Sequence, residues 1–153
     1  MSHFPVNHHL RPLYRVLSGI CGLYVFLFGL LGLFDTSGSP MFDQDTNASV
    51  LGLRTNLGFS VLSIVIGAIV LLSVVVGRNL DVHVNRAVGW LFLVAGMAML
   101  TLLRTDLNFL NFSVATCIVS FVIGLTLITA AMYGRVGSAA DARAEEAFRH
   151  GGH

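Results

Sequence analysis

The sequence is poor in charge. It has no lysine, and charged side chains of both signs make up 11% of it, against roughly a quarter in an ordinary soluble domain. The formal net charge of +1 rests on dispersed arginines, which leaves no basic face for a nucleic-acid partner. Total absence of lysine beside nine arginines reads as codon bias, not chemistry. Cysteine is nearly absent as well. Cys21 and Cys117 both fall inside apolar runs, where a thiol behaves as a small hydrophobe; a disulfide between them stays open as the alternative. "LSGIC" (Leu17 to Cys21) has Ile20 where a lipoprotein cleavage site needs a small residue, so that processing is not expected. The run around it is too long for a signal-peptide core and lacks a small-x-small exit, so it should stay as an anchor.

What is abundant is apolar: 55% of the chain, arranged in four runs separated by short polar stretches. The runs are Leu13 to Phe34, Leu57 to Gly77, Ala87 to Leu103 and Phe112 to Tyr133. Each is about long enough to cross roughly 30 Å of hydrocarbon at 1.5 Å per residue. The expected fold is therefore an all-α polytopic membrane protein with four transmembrane helices and the lipid bilayer as its solvent. Residues 1–12 form an N-terminal tail, 13–135 the four-helix domain and 136–153 a C-terminal tail. Four crossings put both tails on one side. That side collects Arg11, Arg15, Arg78, Arg86, Arg135, Arg143 and Arg149, and the other side only Arg54 and Arg104. The bias places both termini in the cytoplasm, with Tyr14, Trp90 and Tyr133 at the same boundary, in a bacterial plasma membrane. In the C-terminal tail, Ser138 followed by Asp141 forms a capping-box pattern ahead of a short alanine-rich helix, read either as a solvated tail or as a docking peptide.

The chain also repeats itself. "LRTNLGF" (Leu53 to Phe59) returns as "LRTDLNF" (Leu103 to Phe109), and "SIVIG" (Ser63 to Gly67) as "SFVIG" (Ser120 to Gly124). Gly77-Arg78 and Gly134-Arg135 close the two copies. This order predicts two tandem hairpins related by a parallel pseudo-two-fold axis along the membrane normal. Small residues four apart let backbones approach where the hydrophobic effect cannot drive association. Ser63, Gly67, Ser120 and Gly124 are therefore expected to bring spans two and four together, and Ser18, Gly22 and Gly29 to form another packing stripe on the first span.

"LLGLF" (Leu30 to Phe34), "LGLRTN" (Leu51 to Asn56), "NRAVGWLFLVAG" (Asn85 to Gly96) and "LNF" (Leu110 to Phe112) resemble the actinobacterial four-helix membrane family known as a domain of unknown function. The resemblance covers roughly residues 14 to 135 and implies the four-helix fold, with no reaction to borrow. Members of that family often carry proline and histidine just after the position of Asn56; here the chain reads "LGFSVLS" (Leu57 to Ser63), so a role resting on those histidines does not carry over.

No run contains a charge apart from Arg15 near an end, and none contains a histidine. A proton relay or membrane haem thus lacks its usual groups, and neither a catalytic residue nor a cofactor is assigned. His3, His8, His9, His83, His150 and His153 show no structural-metal spacing, so no metal is expected. Arg54 and Arg104 remain, as an anion or lipid-headgroup clamp or as partners of Asp35 and Asp106. The reading that follows is a small non-catalytic accessory or scaffold subunit of a larger membrane assembly, in contact with other membrane subunits or with itself. The alternative is an oligomeric passive pore or a lipid-binding carrier with Arg54 and Arg104 at its outer mouth.

Overall fold

The computed structural model describes residues 5–45 and 47–151, with side chains through Phe148. Five helices and one small ribbon follow in order: α1 (Arg11–Asp35), β1 (Ser49–Val50), β2 (Leu53–Arg54), α2 (Leu57–Val76), α3 (Leu80–Leu102), α4 (Val114–Tyr133) and α5 (Ala139–Gly151). Helices α1 to α4 are each long and apolar enough to cross a membrane. The strands pair antiparallel, Ser49 with Arg54 and Val50 with Leu53, around a two-residue turn. Both turn residues, Leu51 and Gly52, have positive φ, the geometry that matches the twist of a tight hairpin.

Local chemistry sets most helix ends. Asn56 accepts a hydrogen bond from the Phe59 amide at 2.9 Å and so caps α2. Ser113 and Thr116 form a capping box at the start of α4. Between α2 and α3 the chain turns through Gly77, Arg78 and Asn79, all with positive φ. Asn79 holds this corner by bonding the Val136 carbonyl and amide with its amide group, at 2.8 and 2.7 Å. The third helix therefore starts at Leu80, ahead of the Ala87 expected from the apolar run, and absorbs the polar segment that hydropathy excluded. Trp90, expected at a span boundary, lies within α3 and is exposed on its surface.

Helix α1 packs chiefly on α2, and α3 on α4; thinner seams join α1 to α4 and α2 to α3. Glycine makes the two main seams close. A Cβ on Gly67 would lie 2.5 Å from the Phe26 nitrogen of α1, and one on Gly29 would lie 2.6 Å from the Ser60 carbonyl oxygen of α2. A Cβ on Gly22 would meet Val70. In the second pair, a Cβ on Gly124 would lie 2.9 Å from the Gly89 carbonyl oxygen, and one on Gly96 would meet Phe121 and Ser120 at 3.1 and 3.2 Å. This corrects the expectation that Gly67 and Gly124 join spans two and four. Each glycine seals its own hairpin, because hairpin partners lie side by side while the heavy and light seams leave α2 and α4 on a diagonal.

Val25, Val70, Val88, Ile123 and Leu127 fill the middle of the bundle. At one end, the tails are tied together: the Asn7 amide donates to the Arg135 carbonyl, the Arg11 guanidinium to the Gly134 carbonyl, and the Val6 amide to Glu145 of α5. Both tails therefore lie at the same end of the bundle.

Candidate functional site

Three polar groupings interrupt the apolar bundle. The first is at the tail end. Since α3 begins at Leu80, Asp81 and Asn85 fall one turn apart on one face of it. Asp81 is only 2% exposed, and its Oδ2 lies 3.6 Å from Nε of Arg15, which is one-third exposed on α1. Arg15 also donates to the Val74 carbonyl near the end of α2. Asn85 donates to Ser18 Oγ at 2.7 Å, and Ser18 donates onward to the Tyr14 carbonyl at 3.0 Å. Three helices are thus joined through one charged cluster. The second carboxylate oxygen of Asp81 and the amide oxygen of Asn85 are buried without a hydrogen-bond partner. Such neighbouring acceptors carry a desolvation penalty that a bound donor would relieve. Of the expected small-residue stripe, Ser18 therefore serves a polar link to α3, while Gly22 and Gly29 pack on α2. Sequence reading placed no charge but Arg15 in a span and so missed Asp81. The signal was present in the Gly77–Asn79 turn, with an acidic residue in the following first turn.

The second grouping closes the loop end. Asn56 donates to the carbonyls of Asp43 and Phe109, at 3.2 and 2.8 Å, and Asn111 donates to the Thr55 carbonyl at 3.1 Å. Asn108 bonds both the amide and the carbonyl of Phe112. The side chains of Asn56, Asn108 and Asn111 are buried; Asn56 and Asn111 join the long loop of the first hairpin to the loop of the second, and Asn108 braces the second loop internally. Arg54 and Arg104 both lie at this end and are exposed. They are not equivalent in position: Arg54 is on β2, just ahead of α2, whereas Arg104 comes just past the Leu103 cap of α3. Neither forms an ion pair with a described residue, so pairing with Asp35 or Asp106 is not found.

The third grouping lies within the bundle. Ser63 of α2 and Ser120 of α4 line one cavity of about 130 Å³ together with Phe59, Leu62, Ile66, Leu91, Phe92, Ala95, Leu110 and Phe112. The same two serines border a smaller void of about 20 Å³ deeper in the core.

The histidines do not converge. His8 and His9 lie in tilted contact, with ring centroids 4.4 Å apart, and His8 meets Tyr133 edge-on. His83 lines a separate open cavity with Asn79, Arg86 and Arg135. His3 and His153 lie outside the described residues, as do the side chains of Arg149 and His150.

Four long apolar helices, sealed in pairs by glycine, define a multi-pass helical membrane protein by length and composition. The chain belongs to the family described as a domain of unknown function (DUF4383), whose model matches residues 15–133. The match spans α1 nearly from its start to the end of α4 and leaves out α5. No curated protein and no solved structure matches the chain.

Proposed function

We propose that the protein is a non-catalytic accessory or scaffold subunit of a larger membrane assembly, held in a bacterial plasma membrane with both termini cytoplasmic. The observation that carries this reading is the closed interior. Val25, Val70, Val88, Ile123 and Leu127 meet at mid-bundle, so a single chain offers a solute no polar path. The two seams within the hairpins, α1 with α2 and α3 with α4, are closed by backbone-close glycine contacts. The arginine bias of the two ends supports the orientation.

The bundle is, in this reading, a duplicated hairpin. Gly22, Phe26 and Gly29 of α1 correspond to Gly89, Leu93 and Gly96 of α3 at one constant offset, and Gly67 of α2 corresponds to Gly124 of α4. Their contacts correspond too: Gly67 abuts Phe26, and Gly124 abuts Leu93. Ser18 and Asn85 are separated by the same offset as Gly22 and Gly89, so their hydrogen bond crosses the pseudo-two-fold axis. A duplicated frame with a filled centre favours packing over conduction.

Purification in mild detergent, followed by mass measurement of the intact particle, tests the proposal. A heteromeric complex of fixed stoichiometry that leaves liposomes tight to small solutes is expected. A homo-oligomer that leaks solutes would refute the accessory reading in favour of a pore with Arg54 and Arg104 at its mouth.

A further inference from the structure

A helical serine or threonine in apolar surroundings ordinarily returns its hydroxyl to a carbonyl one turn back. Ser60, Ser73, Thr126 and Thr129 all do so. Ser63 and Ser120 do not. They are 3% and 4% exposed, and neither hydroxyl has a hydrogen-bond partner among the described residues. Both border the same cavity. Two donors without a protein acceptor, both opening onto one apolar space, suit a guest that accepts from them.

We propose that Ser63 and Ser120 form a binding site for a carbonyl-bearing lipophile that enters from the hydrocarbon phase between α2 and α3. The entry follows from the lining: Leu62 of α2 and Leu91 of α3 border the cavity and are also exposed on the outer face of the bundle. The seam between these helices is one of the two thin ones. At about 130 Å³ the cavity approaches the size, about 150 Å³, at which an apolar protein cavity takes up benzene. Phe59, Phe92 and Phe112 give it an aromatic wall suited to a ring.

The polar group follows from the donors. A carbonyl oxygen has two lone pairs and so accepts from both hydroxyls, and a neutral acceptor needs no counter-charge. Depth decides which carbonyl. Each serine lies six residues inside its helix, about 9 Å along the axis at 1.5 Å per residue. A helix of 20 residues just matches the hydrocarbon thickness of roughly 30 Å, so the serines sit below the layer that holds phospholipid esters. A ketone or quinone on an apolar tail reaches that depth. The site goes beyond the accessory reading and does not depend on it.

The full chain in dioleoylphosphatidylcholine nanodiscs, melted in the presence of octanophenone or octylbenzene, tests the inference. The two probes share ring and carbon count and differ in the carbonyl. Octanophenone should raise the melting temperature by a few degrees and octylbenzene by clearly less. Ala95→Phe, which fills the cavity, should abolish the octanophenone shift. The double variant Ser63→Ala, Ser120→Ala should keep the fold and lose the preference for the ketone, roughly fivefold or more in apparent affinity. Equal shifts with both probes in the native protein would overturn the proposal, including the case where bulk acyl chains hold the cavity. So would an undiminished ketone preference in the double alanine variant, which remains informative even if Ala95→Phe fails to fold.

Discussion

Gly67→Ala adds a methyl carbon where the backbone of α1 already stands, 2.5 Å from the Phe26 nitrogen and 2.7 Å from its Cα. A backbone cannot rotate aside as a side chain does. To restore carbon contacts of about 3.5 Å, α1 and α2 must part by roughly 1 Å near this point, forfeiting dispersion along the seam. Overpacking of this kind costs about 1–3 kcal/mol, and backbone involvement favours the upper part of that range. The alanine recovers up to about 1 kcal/mol of helix propensity, leaving a net loss of about 1–2 kcal/mol. Two other glycines supply the scale. At Gly124 the nearest atom is the Gly89 carbonyl oxygen at 2.9 Å, so Gly124→Ala should lose less. At Gly19 the new carbon would meet only Val74 Cγ1, at 3.9 Å, so Gly19→Ala should gain about 0.5–1 kcal/mol from propensity alone. Reversible unfolding in mixed micelles, titrated with dodecyl sulfate and followed by circular dichroism, reads all three. The expected order of stability is Gly19→Ala, native, Gly124→Ala, Gly67→Ala. A Gly67→Ala protein as stable as the native one would refute the close approach of α1 and α2.

Arg15→Met should leave Asp81 buried without its cation and cost about 1–3 kcal/mol, discounted from the larger penalties of fully buried pairs because Arg15 is one-third exposed. Adding Asp81→Asn should recover part of that loss in the same titration, whereas strictly additive losses would contradict a working pair. Asn56→Ala removes the α2 cap and two bonds at the loop end, for about 2–3 kcal/mol; Asn56→Ser, which keeps a neutral capping oxygen, should cost less. If the two variants lose equally, the cap oxygen contributes little. The Ser138 hydroxyl and amide, bonded to Asp141, hold its carboxyl below its ordinary value. A depressed carboxyl gives stability that is present above the unfolded value and lost as pH falls through the folded one, so the start of α5 should fray only below the ordinary carboxylate range. Nuclear magnetic resonance titration of Asp141 in the native and Ser138→Ala proteins checks this, with the variant titrating at higher pH.

The four long helices were legible because apolar runs of membrane length have few other meanings. Their ends were less so. Hydropathy could not see that α3 begins at Leu80, since Asp81, His83, Asn85 and Arg86 dilute the run although one face of the helix is buried there. The capping serines and asparagines needed only local chemistry, and Ser138 with Asp141 forms the expected box. Partner choice is a different problem. "SxVIG" announced close packing, but a small residue marks a seam without saying which helix fills it, and Gly67 and Gly124 turned to their own hairpin neighbours. The echo of "LRTNLGF" in "LRTDLNF" was legible as text and misleading as geometry: its first copy leads into α2, and its second trails α3. The cavity at Ser63 and Ser120 was not legible at all, because it depends on what three helices and a loop leave unfilled.

The cross-links between the two hairpins are unevenly placed. At the tail end Asn7, Arg11, Asn79 and Arg15 reach across, and at the loop end Asn56, Asn111 and Gln44 do. Between these levels the hairpins meet along thin apolar seams. The molecule is built like a cask hooped at head and foot, and a cask of that design swells at its waist. A guest wedged between α2 and α3, inward of the loop-end hoop, would press on a thin seam and would leave both hoops intact.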